Sequence, residues 1–130
     1  MKKYGRKTRD IVFFSAKNQT TLCVHTPQAR RYAKLLEEDT RIRSYEVNHS
    51  LDAAWIARID RVGIRGAYLQ TQWTTDFVIT DQDGGEAVRE IVTADLLGKH
   101  AEIEKLELSR RYWKARGVED WRLVLTGEAE

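Results

Sequence analysis

The sequence predicts a single α/β domain in which a mixed sheet is flanked by helices. Three observations lead to this fold class: a capped helix near residue 26, an Asp-Gly turn between two apolar segments, and a second helix that precedes an apolar C-terminal segment. An order of helix, strands, helix and strand is typical of layered α/β folds. The 130 residues are the size of one domain. We assign it to residues 11–130, after a basic arm at residues 1–10.

The N-terminal half is expected to contain one helix between extended segments. Residues 11–14 (Ile-Val-Phe-Phe) form a short apolar run. Thr26 and Pro27 predict a helix start, because Thr caps free amide groups and Pro needs no amide hydrogen bond at the first helical position. The helix should end near residue 38, and residues 41–48 alternate as a strand does. The side chains expected to face the core from these two elements are Ala29, Tyr32, Ala33, Leu35, Leu36, Ile42, Tyr45 and Val47.

The segments that follow are predicted to be mostly extended. An alternation of apolar side chains favours a strand over residues 51–60, although the same residues would also suit a helix. Residues 68–72 and 73–80 also have an extended pattern, with Phe77 and Ile79 on one face. We therefore expect several strands between the two helices.

The C-terminal half is predicted to contain a hairpin, a long helix and a last strand. Asp83 and Gly84 indicate a tight turn, because glycine adopts positive φ readily, and residues 87–92 should be the returning strand. Residues 99–116 have the pattern of an amphipathic helix that Gly117 ends. Residues 121–126 are expected to form a buried strand. The helix should direct inward the side chains of Ile103, Leu106 and Trp113.

Positive charge is concentrated at the start of the chain. Residues 1–34 contain nine Lys or Arg residues against Asp10 alone, whereas the whole chain has a formal net charge of only +2. A basic arm can bind DNA phosphates, because counterion release supplies affinity without sequence preference. An arm that only keeps the protein in solution fits the charge equally well. The predicted phosphate contacts are Lys2, Lys3, Arg6, Lys7, Arg9 and Lys17.

Composition excludes several classes of protein. Cys23 is the only cysteine, so no disulfide can form within the chain, as is usual in a reducing cytoplasm. No apolar stretch approaches the length of a membrane span, and no signal peptide is recognisable. We expect a soluble cytoplasmic protein that does not interact with membranes.

Two acidic residues flank the predicted hairpin symmetrically. Asp76 lies seven residues before Asp83, and Glu90 lies seven residues after it. Opposite positions on paired strands have Cβ atoms about 5 Å apart, close enough for both carboxylates to hold one Mg²⁺ ion. Alternatively, both acids could simply lie on a strand face exposed to solvent, which is common for charged residues. The spacing alone favours this second interpretation.

A family resemblance changes this balance. Residues 14–18 (Phe-Ser-Ala-Lys-Asn), 35–39 (Leu-Leu-Glu-Glu-Asp), 42–46 (Ile-Arg-Ser-Tyr-Glu) and 73–77 (Trp-Thr-Thr-Asp-Phe), in this order, resemble the N-terminal nuclease domain of TnsA. The similarity continues through residues 104–117 and covers nearly the whole chain. TnsA is the endonuclease subunit of heteromeric cut-and-paste transposases. The resemblance implies a restriction-endonuclease-like fold, DNA and a transposase or other mobile-element protein as partners, and Mg²⁺ or Mn²⁺ as cofactor if the centre is active.

The catalytic pattern of that family is only half present. Asp76 matches the central Asp of the family, and Glu90 matches the acid of its Glu-x-Lys element. The lysine position falls on Val92 and the helix glutamate position on Ala29, or on Gln28 with a shift of one residue. Loss of such groups costs several kcal/mol of transition-state stabilisation. The resemblance thus predicts an impaired nuclease that binds DNA or protein, with an active metal-dependent endonuclease as the alternative.

Lost groups could also be replaced from elsewhere in the chain. Glu37 or Glu38 could supply the missing carboxylate, and Lys34 or Lys99 the missing ammonium group. A residue eight or nine positions further along a helix lies about 12 Å away along its axis, which is too far for simple replacement. We therefore favour the impaired nuclease.

Overall fold

The computed structural model of the chain describes residues 10–126. In chain order its elements are β1 (Ile11–Ser15), β2 (Thr20–Val24), α1 (Pro27–Glu38), β3 (Ile42–Ser50), α2 (Ala53–Ile56), α3 (Gly66–Leu69), β4 (Thr74–Asp81), β5 (Glu86–Thr93), a 3-10 turn (Leu96–Gly98), α4 (His100–Ala115) and β6 (Asp120–Thr126). Among these residues no helix has the length and apolar character needed to traverse a lipid bilayer.

The predicted fold class, a mixed sheet flanked by helices, is confirmed. The sheet has the order β3-β4-β5-β6, with antiparallel pairs except for the parallel pair β5–β6. Helix α1 covers one face, where Ala33 packs with Phe77 and Ile79. Helix α4 covers the other face, where Leu108 packs with Val88. Strands β1 and β2 form a separate hairpin, whose apolar side chains pack beside α1.

The predicted helix and turn signals have the expected geometry. The Thr26 hydroxyl accepts a hydrogen bond from the Ala29 amide at 3.0 Å, and Pro27 is the first helical residue. Gly84 lies in the turn between β4 and β5 with φ near +88°, a conformation that costs glycine little. Gly117 has φ near +89° and ends α4 as predicted.

Two predicted extended segments are wrong. Residues 51–60 contain helix α2, because the Asp52 carboxylate caps the amide of Ala54 at 2.9 Å and starts a helical turn. Residues 68–72 overlap helix α3, which places Tyr68 and Leu69 against the core. The alternation of apolar residues in the first segment reflects separate contacts with the core from a helical turn and the irregular chain after it.

Three burial predictions are also wrong. Leu35 and Ile103, on the outer sides of their helices, are 60% and 50% exposed. Strand β6 lies at the edge of the sheet, where among the described residues it pairs only with β5. Leu125 is consequently 59% exposed, and the strand is not buried as expected.

A polar cluster joins the hairpin of β1 and β2 to α1 and β3. The Glu37 carboxylate accepts hydrogen bonds from the hydroxyls of Ser15 and Tyr45 and from the Lys17 amide. The Lys17 ammonium donates to the carbonyl oxygens of Asp39 and Ile42, at 3.1 and 2.7 Å. Ser15 is fully buried, so its bond to Glu37 satisfies a hydroxyl that water cannot reach. The cluster fixes the hairpin against the main sheet.

Candidate acidic site between β4 and β5

Asp76 and Glu90 meet where the ladder between β4 and β5 ends. The last backbone pair at this end is Phe77 with Arg89, and the two acids occupy the next position. At this position hydrogen bonds to the two carboxylates take the place of the backbone hydrogen bonds between the strands. The Asp76 amide donates to Glu90 Oε1 at 3.0 Å, and the Ile91 amide donates to Asp76 Oδ2 at 2.7 Å. The structure therefore brings together the two acids that the spacing around Asp83 paired.

Glu90 also contacts helix α4. The Ser109 hydroxyl donates to Glu90 Oε2 at 2.5 Å, and the indole of Trp121 donates to the same hydroxyl oxygen at 2.9 Å. Glu90 is only 3% exposed and Ser109 only 5%. Both oxygens of Glu90 thus accept hydrogen bonds from protein donors. The Ser109 hydroxyl also links Glu90 to Trp121 of β6.

Burial and mutual repulsion make the ionised pair unfavourable. Burial is the main cause that raises the pKa of Glu90 to about 7, and the neighbouring Asp76 charge adds to it. Burial likewise raises the pKa of Asp76, although the hydrogen bond from the Ile91 amide opposes the shift. Near neutral pH the pair therefore tends to hold a proton.

Two positive charges act on the acids, one from α4 and one from the residue that follows β2. The charge of Lys105 lowers the pKa of both acids, and that of His25 lowers the pKa of Asp76. The Lys105 ammonium lies 5.7 Å from the centre of the Trp73 ring. Sequence reasoning did not identify His25, Lys105 or Ser109 as neighbours of the acids. The sequence did contain a signal for two of them, because Lys105 and Ser109 are four residues apart and therefore lie on the same side of the predicted helix, next to the core residue Leu106.

The two family positions without functional groups are filled by core side chains. Ala29 packs in the cluster beneath α1 and is 9% exposed, and Val92 is 1% exposed. None of the replacements weighed from the sequence is among the principal charges acting on the acids. Glu37 is bound in the hairpin cluster, and Glu38, Lys34 and Lys99 are exposed. Lys105 is the only lysine among the principal charges acting on the pair in the described residues.

The donor set does not fit the Mg²⁺ or Mn²⁺ ion that the resemblance implies. Such an ion takes about six oxygen ligands. Here three of the four carboxylate oxygens of Asp76 and Glu90 accept hydrogen bonds from protein groups. The position that would supply a third carboxylate is Ala29, which has no oxygen in its side chain. Binding of an ion would require both hydrogen bonds and core packing to change.

Most of the predicted DNA contacts lie outside the described residues. These are Lys2, Lys3, Arg6, Lys7 and Arg9. Lys17 lies in the structure, where two of the three hydrogens of its ammonium group are used by backbone carbonyls. The arm joins the described chain at Asp10, whose carboxylate is 3.1 Å from the His25 imidazole. The arm is therefore attached on the side of the molecule where His25 acts on Asp76.

Comparison with known proteins assigns no family. A scan against protein-family models finds no match. A search of curated proteins also finds no match.

Proposed function

We propose that this chain is a TnsA-like nuclease-fold protein of a transposon or another mobile element that binds DNA and has an impaired cleavage centre. The observation that carries the proposal is the state of Glu90, which is buried with both oxygens bound by protein donors. A catalytic carboxylate must be available to a metal ion or to water. In this chain the Glu90 carboxylate instead forms hydrogen bonds that connect β5 to β4 and to α4.

The environment of the pair supports the same conclusion. The side chains of Ala29 and Val92 are buried and apolar, so neither can bind a cation or stabilise developing charge. The αβββαβ order formed by α1, β3, β4, β5, α4 and β6 supports descent from a nuclease of the restriction-endonuclease type. On this proposal the chain keeps the fold of a nuclease but lacks half of the functional groups of the catalytic centre.

DNA binding is assigned to the basic arm. Its five Lys or Arg residues precede Asp10, which contacts His25, and the His25 charge acts on Asp76. An arm attached there can contact the backbone of a duplex that passes over this side of the protein. Phosphate contacts of this kind give affinity that does not depend on a bound metal ion.

Retention on DNA tests this proposal. We expect the full chain to bind a duplex of arbitrary sequence equally well in Mg²⁺ and in EDTA, with affinity that falls steeply as salt rises. The measurement is fluorescence anisotropy of a labelled duplex at several salt concentrations. Absence of binding at low salt would contradict DNA binding and favour a scaffold that contacts protein alone.

An active endonuclease that cuts at transposon ends with a transposase is the second candidate. One observation favours it: the Lys105 charge acts on both acids, as the ammonium of the family's Glu-x-Lys element would. Lys105 would then hold the acids ionised and offset charge that develops at the scissile phosphate. Cleavage by this route would require both Asp76 and Lys105.

A further inference from the structure

A second group of metal-ligating side chains lies at the open end of the β1–β2 hairpin. Val12 pairs with Cys23, and Ile11 pairs with Val24. Continuing this register places Asp10 opposite His25. Cys23 lies in β2 and His25 directly follows the last residue of that strand, so in continued extended backbone their side chains project from the same face. Three chemically different ligands therefore meet on one face of the hairpin.

The distances suit a tetrahedral metal ion after a small adjustment. One ligand atom from each of Asp10, Cys23 and His25 lies within 4.8 Å of the other two. His25 Nδ1 is 3.1 Å from Asp10 Oδ1. Zinc–ligand bond lengths at a tetrahedral angle correspond to separations of about 3.4 Å between nitrogen and oxygen and about 3.6 Å between sulfur and nitrogen. The Asp10–His25 pair already has nearly this separation.

The ligand types select a class of metal. Thiolate and imidazole favour borderline ions such as Zn²⁺ and Co²⁺, whereas Mg²⁺ and Ca²⁺ prefer oxygen ligands only. Three protein ligands leave the fourth tetrahedral position for water or an added group. The side chains of Asp10 and His25 are 73% and 48% exposed, so an ion can reach them from solvent.

We propose that Asp10, Cys23 and His25 form a binding site for a divalent transition metal of the Zn²⁺ class, separate from the acidic pair. Such an ion would bridge the two strands of the hairpin at the residue that follows the basic arm. It would replace the hydrogen bond between Asp10 and His25, and it would hold the attachment point of the arm in a fixed place. Sequence reasoning did not predict this site, because its ligands include only one cysteine and come from two chain segments that meet only in the folded hairpin.

Titration with Co²⁺ tests the proposal in the full chain. We expect the near-ultraviolet charge-transfer band of a thiolate–cobalt bond, together with the intense visible bands of tetrahedral Co²⁺, and we expect Zn²⁺ to displace both. Cys23→Ser should abolish the charge-transfer band. His25→Ala should weaken Co²⁺ binding at least tenfold, because loss of even an indirect partner of a metal ligand costs about that much.

Two variants serve as controls. His100→Ala removes an exposed histidine at the start of α4 and should leave the titration unchanged. Asp83→Asn removes an exposed carboxylate of the turn between β4 and β5 and should also leave it unchanged. The thiolate–cobalt band distinguishes the hairpin site from any ion held by the acidic pair, because that pair contains no sulfur. The proposal is overturned if wild-type protein shows no thiolate–cobalt band, or if His25→Ala binds Co²⁺ as tightly as wild type does.

Discussion

Replacement of the five basic residues of the arm by glutamine is expected to lower affinity for duplex DNA by at least about 100-fold at moderate salt. The residues are Lys2, Lys3, Arg6, Lys7 and Arg9. Each phosphate contact contributes about 0.9 to the slope of log affinity against log salt, so the slope should fall by about 4 to 5. Anisotropy titrations of wild type and variant across a salt series measure both quantities.

A second variant removes the same number of positive charges from another part of the protein, so it tests whether their position in the arm matters. Five basic side chains lie around the loop after α2 and the last turns of α4: Arg58, Arg61, Arg110, Arg111 and Lys114. Arg110 and Arg111 are partly neutralised by Glu107 in the same helix. Replacing these five by glutamine should change the slope by less than about 1. Equal losses in the two variants would contradict assignment of DNA binding to the arm.

Glu90→Gln is expected to gain stability relative to wild type as pH rises from 5 to 8. Burial, with the Asp76 charge, raises the pKa of Glu90 to about 7 from 4.5. An acid with a raised pKa stabilises the fold fully below its unfolded pKa, and this contribution is lost as pH rises through the folded pKa. Between pH 5 and 8 the free energy of unfolding of the wild-type protein should fall by about 2 kcal/mol relative to that of Glu90→Gln, because glutamine does not ionise.

Urea unfolding of the two proteins at several pH values measures this difference. Side chains remote from the acidic pair are common to both proteins, so their contribution cancels in the comparison. Glu86→Gln on the same strand changes an exposed carboxylate and should give a curve parallel to that of wild type. A Glu90→Gln curve that is also parallel would show that Glu90 is ionised at no cost in the fold.

The parts of the fold that follow from local chemistry were predictable. Thr26 and Pro27 mark a helix start by capping alone, and Gly84 marks a turn by its positive φ. The same turn sets the register of β4 and β5, so counting from Asp83 was sufficient to place Asp76 beside Glu90. Information confined to a few neighbouring residues was enough in each case.

The remaining features depend on contacts between distant segments. Asp52 was an overlooked cap, whereas the exposure of Leu125 follows from the position of β6 at the sheet edge, which no local pattern shows. Ser109 and Lys105 approach the acids only because α4 packs across the strands. Burial of both Glu90 oxygens likewise required the packed structure.

Nicking of supercoiled plasmid in Mn²⁺ tests most directly whether the acidic pair supports DNA cleavage. Wild-type protein, Asp76→Ala and Lys105→Gln are compared at equal concentration, each with and without the metal. We predict that the wild-type protein leaves the plasmid as intact as the two variants do. Nicking by wild type that disappears in Asp76→Ala and falls sharply in Lys105→Gln would contradict an impaired centre and establish a working endonuclease.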